Sequence, residues 1–367
     1  MARAAALREL TEATELALAR REDDAELRAL LRRAVMPGAI RVAFTREPHY
    51  FAGEGLAGSD DVTLIARQGG RLAGMGRCSI NTLYRNGTPQ RVAYLGELRI
   101  DPDAPRSASM LRDGYRFLAR TAGTVDGFFT SIATDNLRAR RVLERGARLG
   151  LPRYTMLCDL VTLVIPVGRG SAGTSASELD LAELTRFLDR QSRERQLTLT
   201  WNVSRWGNLL RHGVSPSACV VSMDGPNIGG AAAIWDQRAF RQVVVDGYDR
   251  RVQVARPLYN GLQSLRGMAS LPGPGATLAQ GMLLGAFVTR PEGWDALWPP
   301  LARRARAMRL SWLSVARQAG DAELAVLRRK PGVQEYRSTL YAVDWSDGPH
   351  WLDGWESRSF RPEVSLL

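Results

Sequence analysis

Few residues of this chain have the types and spacing that side-chain catalysis usually requires. The three histidines are scattered along the sequence: His49, His212 and His350. None has a cysteine, serine or glutamate at the spacing of a metal site or a catalytic triad. The three cysteines are also far apart, each in a strand-like run: Cys78, Cys158 and Cys219. We therefore expect no metal centre, no disulfide framework and no nucleophilic triad, and we expect buried, reduced thiols of a cytoplasmic protein.

One loop has the composition of an anion-binding site. The run YLGELRI alternates apolar and polar residues up to Asp101, which predicts a strand, and LRDGYRFLA repeats apolar residues at helical spacing. The segment between them consists of small residues around Arg106, and no acidic residue occurs from 104 to 109. Backbone N–H groups at such a helix N-terminus stabilise a bound anion. The pattern predicts a phosphate-sized site in this loop.

Strands and helices alternate on both sides of the loop. Upstream, ELALAR predicts a strand, Asp23 begins a helix with a capping-box pattern, and VTLIAR and RLAGMGRCSINTLY predict a hairpin around a Gly-Gly turn. Downstream, GFFTSIA predicts a strand, either Asp135 or Asn136 caps the helix NLRARRVLERG, and residues 155–167 predict a final strand.

This order of elements resembles the GNAT superfamily, the acyl-CoA-dependent N-acyltransferases, over roughly residues 13–168. The ordered set carries the resemblance, rather than any single motif. It implies an α/β (α+β) domain with a mixed, mostly antiparallel sheet flanked by helices, and acetyl-CoA or another acyl-CoA as co-substrate. Its pyrophosphate would lie against Arg106, Ser107, Ala108, Ser109 and Met110. The loop keeps the family's arginine but has other small residues in place of its glycines.

The resemblance also implies how the thioester is held and how the amine is deprotonated. Backbone amides near the end of the strand before the loop would hold the thioester carbonyl: Leu98, Arg99 and Ile100. Glu97 stands where relatives often have the base that accepts the amine proton. The alternative is a glutamate held in a salt bridge by an arginine.

The resemblance further implies a contact to the pantetheine arm and an acid for the departing thiolate. Asn136 matches the family's asparagine, which contacts the pantetheine, although helix capping explains this residue equally well. The family's tyrosine acid has no counterpart, because Leu143 occupies its position. Tyr154 is the candidate substitute, with a tyrosine at the edge of the core as the alternative.

The second half of the chain repeats this order with less suitable chemistry. SACVVSM and AAAIWDQ predict a hairpin, and MLLGAFVT, WDALWPPLARRARAM, RLSWLSVA, DAELAVLRR and EYRSTLYAVDW predict strand, helix, strand, helix, strand. Its loop contains Pro291, which lacks an N–H, and Glu292, which is negatively charged. We therefore expect two GNAT-like domains in tandem, with the cofactor in the first. Residues 249–280 fit no standard element and are interpreted as a lid or insertion.

Chain length and composition place the domain boundaries. A chain of 367 residues is long for one average domain. Residues 166–178 are rich in Gly, Ser and Thr without apolar periodicity, which is typical of a linker. The predicted organisation is a GNAT-like domain at 1–168, a linker at 169–178, a second, degenerate domain at 179–345 and a tail at 346–367.

The net charge of +12 raises the question of a nucleic-acid partner. Nearly all the cations are arginine, with Lys330 the only lysine, and this skew indicates genomic composition bias rather than a phosphate footprint. No recognition motif accompanies it, so nucleic acid is disfavoured. No apolar stretch approaches the ~20 residues of a membrane span, and the N-terminus lacks the apolar run of a signal peptide. We expect a cytoplasmic protein without a membrane partner; a homodimer stays open.

Three functions are compatible with these observations. The first is an acyltransferase that moves an acetyl or other acyl group from CoA to an amine of a small molecule or peptide. The second is a catalytically inactive GNAT-like binding or scaffold protein, suggested by the missing glycines and tyrosine. The third is an arginine-rich nucleic-acid binder. We favour the first, with the first half catalytic and the second half shaping the acceptor site.

Overall fold

The computed structural model describes residues 14–55, 60–104, 108–168, 180–214, 218–265, 269–345 and 351–367. The predicted linker at 169–178 lies outside these residues. The strands before it are β1 (Glu15–Leu18), β2 (Ile40–Thr45), β3 (Asp60–Gln68), β4 (Arg71–Arg85), β5 (Thr88–Ile100), β6 (Gly127–Ala133) and β7 (Arg153–Pro166). The helices of this first half are α1 (Asp24–Arg33), α2 (Ala108–Thr121) and α3 (Leu137–Glu144).

The second half follows the linker. Its strands are β8 (Thr198–Leu199), β9 (Cys219–Asp224), β10 (Asn227–Trp235), β11 (Gln242–Tyr248), β12 (Gln280–Val288), β13 (Trp312–Gln318) and β14 (Gln334–Asp344). Its helices are α4 (Leu181–Arg193), α5 (Val203–Arg211), α6 (Arg250–Leu265), α7 (Gly293–Ala307) and α8 (Glu323–Leu327). Each half therefore contains a hairpin and the run strand, helix, strand, helix, strand, which is the predicted repeat, and in the second half β11 and α6 lie between the hairpin and the run.

Local sequence signals predict how two of the helices begin, with different outcomes. Asp23 directly precedes α1, but the predicted capping box does not form there, because its side chain makes no capping bond to α1. The Asp23 carboxylate instead accepts a hydrogen bond of 2.7 Å from the backbone N–H of Arg20, upstream of the helix. The Asn136 side chain accepts one of 3.1 Å from the Ala139 N–H. Of the two candidates for the α3 cap, Asn136 is therefore the cap.

The strands of both halves form one twelve-stranded sheet. Its order is β1-β3-β4-β5-β6-β14-β7-β13-β12-β10-β9, with β8 paired to β4. The pairs β5–β6 and β12–β13 are parallel, and the other neighbouring strands are antiparallel. A separate two-stranded sheet joins β2 of the first half to β11 of the second. The predicted fold class, two GNAT-like units with mixed, mostly antiparallel sheet and flanking helices, is confirmed.

The two halves exchange their last strands. β14, from the second half, lies between β6 and β7 of the first, where Leu340 is opposite Ser131 and Cys158. β7 in turn pairs with β13, where Val164 is opposite Ser314. The equivalent series are therefore β3-β4-β5-β6-β14 and β9-β10-β12-β13-β7. Because each half contributes a strand to the sheet of the other, the sheet does not divide at residues 168 and 179. The domain boundaries at these positions stay a prediction.

The interpretation of residues 249–280 as lacking a standard element is wrong for its first part. α6 occupies Arg250–Leu265 and contains Pro257 within the helix. A proline inside a helix removes one backbone hydrogen bond and usually marks a helix end, which hides the helical pattern in the sequence. The cysteines conform to expectation: all three are buried and free, and burial raises the pKa of each thiol to about 12.

Candidate functional site

A cavity of about 700 Å³ begins where β5 and β6 separate. The two strands are paired in parallel only from Val92 to Tyr94, opposite residues 127–129. Immediately beyond, the Thr130 hydroxyl donates a hydrogen bond of 2.5 Å to the Leu95 carbonyl. The following residues of both strands, 95–100 and 130–133, line the cavity. The parallel strands thus form a cleft that opens toward the end of β5.

Both halves of the chain contribute walls to this cavity. The two-stranded sheet supplies apolar side chains from either half, including Val42, Phe44, Val243 and Val245. Tyr336 and Ser338 of the exchanged strand β14 line another part. The lining is mainly apolar, so the cavity suits a ligand with a large apolar portion and few polar contacts.

A backbone irregularity marks the centre of the cleft. Glu97 has a φ of 51°, in the left-handed region that residues other than glycine rarely adopt. The register of β4 against β5 shifts between Met75 and Arg77, opposite this point. Such bulges redirect the backbone and side chains of the strand. The residues predicted to hold a thioester carbonyl, 98–100, follow directly and line the cavity.

The Glu97 carboxylate is held by cations and a hydroxyl. Arg46 Nε donates to Oε1 at 3.0 Å, and the Tyr50 hydroxyl donates to Oε2 at 3.0 Å. Arg77 Nη1 is 3.9 Å from Oε1. Burial alone would raise the pKa of Glu97, but Arg46, Arg77 and Arg241 outweigh burial and hold this pKa well below its usual range. A carboxylate with so low a pKa is a weak proton acceptor, so the geometry favours the salt-bridged alternative over the base.

Tyr154, the predicted acid, lies in the cavity wall beside a second tyrosine. Its hydroxyl is 2.5 Å from the Tyr115 hydroxyl, and both side chains are buried. Burial and the neighbouring Tyr115 raise the pKa of Tyr154 well above its ordinary value. The phenol therefore stays protonated at neutral pH, as a proton donor must be. Leu143, at the family's usual tyrosine position, is a buried core residue.

The predicted cofactor loop is described in part. Arg106 and Ser107 lie outside the described residues, and Ala108 is described only as the first residue of α2. Ser109 is exposed, whereas Met110 is buried and lines the cavity. The first turn of α2 contains no acidic residue, and its N-terminus follows the loop directly. This arrangement suits an anion at the helix N-terminus.

Two further features border the same region. Asp101, at the end of β5, is buried, and its carboxylate accepts a hydrogen bond of 2.7 Å from Arg33. Its negative charge is therefore paired rather than directed at the loop. Asn136 lines the cavity while capping α3, so capping accounts for its side-chain oxygen and leaves a contact to a ligand as a prediction.

Sequence reasoning missed the residues that surround Glu97. Arg46 and Tyr50 come from the segment after β2, and Arg241 comes from the second half, just before β11. Arg241 is half-buried and donates to the Leu367 carbonyl oxygen. Burial, together with the adjacent Arg46 charge, lowers the pKa of Arg241 to about 10. No local pattern connects such distant positions, so only the fold reveals this cluster.

The second half contains an equivalent cleft between β12 and β13. Their parallel pairing ends at Met282, and three residues later Gly285 has a φ of 56°. Glu97 stands at the same offset from Tyr94, the last paired residue of β5. In the second cleft, however, the Gly285 N–H donates a hydrogen bond of 3.0 Å to the Glu363 carboxylate. The tail of the chain therefore occupies the position that is open in the first half.

Buried charges fill the rest of the second cleft. Arg317 Nε donates to Glu323 Oε2 at 2.7 Å, and Arg317 Nη2 donates to the Ala286 carbonyl at 2.7 Å. Arg361, from the tail, donates to Glu323 Oε1 at 2.7 Å and to Asp321 at 2.7 Å. The remaining space is about 10 Å³. This filling gives a physical reason to expect the second half to be unsuited to a cofactor, in addition to Pro291 and Glu292.

None of the described helices is long and apolar enough to cross a membrane. Within the described ranges, no group of three or more His, Cys, Asp or Glu side chains is arranged to hold a metal ion.

Comparisons with known proteins identify the architecture. No protein-family model and no curated protein sequence matches the chain. Among solved structures, a GCN5-related N-acetyltransferase from Sphaerobacter thermophilus matches with a TM-score of 0.52 and 11% identity, over 92% of this chain and 97% of that one. N-myristoyltransferase from Saccharomyces cerevisiae with bound myristoyl-CoA matches with a TM-score of 0.56 and 9% identity, over 91% and 78%.

A third match supports the same conclusion. A putative acetyltransferase from Pyrococcus horikoshii gives a TM-score of 0.51 at 8% identity, over 91% of this chain and 90% of that one. At these identities the likeness concerns the fold. The repeated strand series, the two parallel pairs and the structural matches together show that this chain has the GNAT fold twice in tandem.

Proposed function

We propose that this chain is an acyl-CoA-dependent N-acyltransferase whose first half binds the acyl-CoA and whose second half completes the acceptor site. The observation that carries the proposal is the contrast between the two clefts. The cleft between β5 and β6 opens into a cavity of about 700 Å³, whereas the equivalent cleft between β12 and β13 is filled by the chain's own tail and side chains.

The residues present in the first cleft fit an acyl-CoA. The cavity volume lies within the ~300–1,000 Å³ usual for ligand sites, and its apolar lining suits an acyl chain and the pantetheine arm. The N-terminus of α2, without an acidic residue in its first turn, suits the pyrophosphate. Arg106 to Met110 would hold the phosphates, residues 98–100 would hold the thioester carbonyl, and Asn136 would contact the pantetheine.

The chemistry then follows from positioning and proton transfer. The bound acyl-CoA supplies an acyl group activated as a thioester. Backbone N–H groups at 98–100 polarise the carbonyl, so that the amine nitrogen bonds to the carbonyl carbon as the carbon–sulfur bond breaks. Tyr154 donates its proton to the departing sulfur and regains a proton from water. We assign to Glu97 the role of fixing the bulge through Arg46 and Arg77, with the amine proton passing to water.

We predict that one acyl-CoA binds per chain. Titration calorimetry with acetyl-CoA and with a long-chain acyl-CoA should give a single site, because only the first cleft is open. Arg106→Glu should weaken this binding by more than about tenfold by placing negative charge against the phosphates. Arg186→Glu, at an exposed position of α4, is the matched control and should bind as the parent does. Two sites per chain, or equal affinity for Arg106→Glu, would contradict the placement.

We predict that Tyr154→Phe lowers kcat by about 10²-fold or more, because it removes the proton donor for the leaving sulfur. The measurement is initial rates at saturating acyl-CoA and amine. Tyr115→Phe removes only the neighbouring hydroxyl and should retain most of the activity, so it separates proton donation from disturbance of the tyrosine pair. Equal losses in both variants would argue for a packing role.

The inactive binding protein stays the alternative, and the low pKa of Glu97 favours it, because this carboxylate is a weak base. Turnover distinguishes the two functions. Acyl-CoA binding without acyl transfer to any of a broad panel of primary amines, with thiol release monitored, would support the binding protein. Thiol release that depends on both the amine and Tyr154 would support the enzyme.

A further inference from the structure

Helix α6 presents a stripe of aliphatic side chains to solvent. Four aliphatic side chains recur at helical spacing and are exposed by 76%, 71%, 47% and 85%: Val254, Leu258, Leu262 and Leu265. Residues spaced by three, four, seven and eight positions lie on one side of a helix. An aliphatic stripe of this kind normally packs against a protein core. Its exposure along a 16-residue helix therefore indicates a surface that binds an apolar partner.

The opposite side of α6 is fixed to the protein by specific polar contacts, with Val252 and Tyr259 half-buried beside them. The Arg256 guanidinium lies 5.3 Å from the centre of the Tyr248 ring. The Asn260 side chain exchanges two hydrogen bonds, of 2.9 and 2.8 Å, with the backbone of Leu271. Gln263 is buried on the same side. The orientation of α6 is therefore determined by specific contacts, and the outward direction of the aliphatic stripe is a property of the folded chain.

The charges beside the stripe indicate what kind of surface covers it. Arg250 and Arg251 are exposed, and on the helical wheel they fall on the same side as the stripe. α6 contains three arginines and no acidic residue. The preceding Asp249 accepts a hydrogen bond of 2.7 Å from the Val252 N–H and so caps the helix. Within the described part of the chain, neither Arg250 nor Arg251 has an ion-pair partner.

We propose that α6 lies on an anionic lipid bilayer, with the four aliphatic side chains inserted at the headgroup boundary and Arg250 and Arg251 against lipid phosphates. A helix with an apolar face and arginines at its border is suited to this position. A second copy of the chain is less suitable, because pairing the two stripes would bring arginines together without carboxylates between molecules of formal charge +12.

This proposal revises the expectation that no membrane takes part. That expectation concerned a spanning segment, which an interfacial helix does not require. The helix is also next to the cavity, because Tyr248, just before α6, and Leu271, after it, both line the cavity wall. Lipid binding by α6 would therefore bring the mainly apolar cavity close to the bilayer surface.

The test is cosedimentation of the full chain with vesicles. The parent should bind vesicles of phosphatidylcholine mixed with phosphatidylglycerol, and should bind pure phosphatidylcholine much less. Leu258→Glu combined with Leu262→Glu should weaken binding by about tenfold or more. Arg250→Gln and Arg251→Gln should each weaken it by about fivefold. All four substituted residues are exposed in the parent. The thermal midpoint of each variant should therefore equal that of the parent, which would confirm that the variants fold.

Val203→Glu is the control, because Val203 is also a highly exposed aliphatic residue, 85% accessible, and lies on a different helix. It should bind vesicles as the parent does. An equal loss in Val203→Glu, or no binding of the parent to the mixed vesicles, would overturn the proposal. Light scattering adds a further check. A dimeric parent that becomes monomeric on Leu258→Glu and Leu262→Glu would assign α6 to a second copy instead.

Discussion

Replacing Glu323 by glutamine is expected to lower the free energy of unfolding by about 3–5 kcal/mol, the usual cost of breaking a buried ion pair from one side. Glu323 accepts hydrogen bonds from Arg317, Arg361 and the Trp294 indole, and the side chains of all three charged residues are at most 6% exposed. Glutamine keeps the shape of the side chain but leaves two buried guanidinium groups without their shared carboxylate.

Urea denaturation at neutral pH measures this loss. Glu292→Gln is the control, since Glu292 is exposed and precedes α7; its stability should stay within about 0.5 kcal/mol of the parent. If Glu323→Gln lowered the free energy of unfolding by less than about 1 kcal/mol, water or a local rearrangement would be stabilising the charges of Arg317 and Arg361 in place of the carboxylate. The tail would then be held in the second cleft mainly by its packing.

The same cluster predicts a pH dependence. Burial acts to raise the pKa of Glu323, but Arg317 and Arg361 outweigh it and lower the pKa from 4.5 to about 2. The stabilisation is therefore complete above pH 4.5 and is lost as the pH falls toward 2, because the unfolded chain takes up the proton first. Parent stability should fall across this window more steeply than that of Glu323→Gln.

Replacing Glu97 by glutamine is expected to lower kcat by about 10²-fold, by the same factor at pH 6 and at pH 9. The physical reason is misplacement: Arg46 and Arg77 lose the carboxylate that fixes the bulge beside residues 98–100, and small errors of position cost about this much. A general base would behave differently. Its loss would matter less at high pH, where the amine needs less help to lose its proton.

Arg46→Gln provides the second arm of this experiment. If Glu97 positions the backbone, removing its partner should produce a similar loss with the same flat pH ratio. If Glu97 is the base, losing Arg46 should raise the carboxylate pKa and strengthen it as an acceptor, so that activity is retained or increases at neutral pH. Initial rates for both variants, below their thermal midpoints, distinguish the two roles.

The sequence predicts the repeated elements well because apolar periodicity and turn residues are local signals. The hairpins, the cap at Asn136 and the strand before the loop all depend on neighbours within a few positions. The residues that surround Glu97, in contrast, come from distant parts of the chain. Arg46 is 51 residues away from Glu97, and Arg241 belongs to the other half of the chain. Only long-range pairing brings these cations together, and they change the expected behaviour of the carboxylate.

The filling of the second cleft also could not be predicted from the sequence, because it depends on contacts between distant residues. Pro291 and Glu292 indicate poor phosphate binding, but nothing local connects Glu363 in the tail to the Gly285 N–H. The orientation of α6 is similarly non-local. Its aliphatic spacing is visible in the sequence, yet periodicity alone does not determine which face of a helix meets the protein.

The exchange of last strands has a consequence for synthesis on the ribosome. When residue 168 has been made, β6 still lacks the neighbour that β14 will provide, some 165 residues later. An unpaired sheet edge in a nascent chain readily joins a foreign strand. The edge of β6 must therefore be shielded from other strands, or paired transiently with β7, until nearly the whole chain has been synthesised. If the two halves were expressed as separate fragments, each would contain the last strand of the other's sheet. We expect the two fragments to be soluble only when they are expressed together.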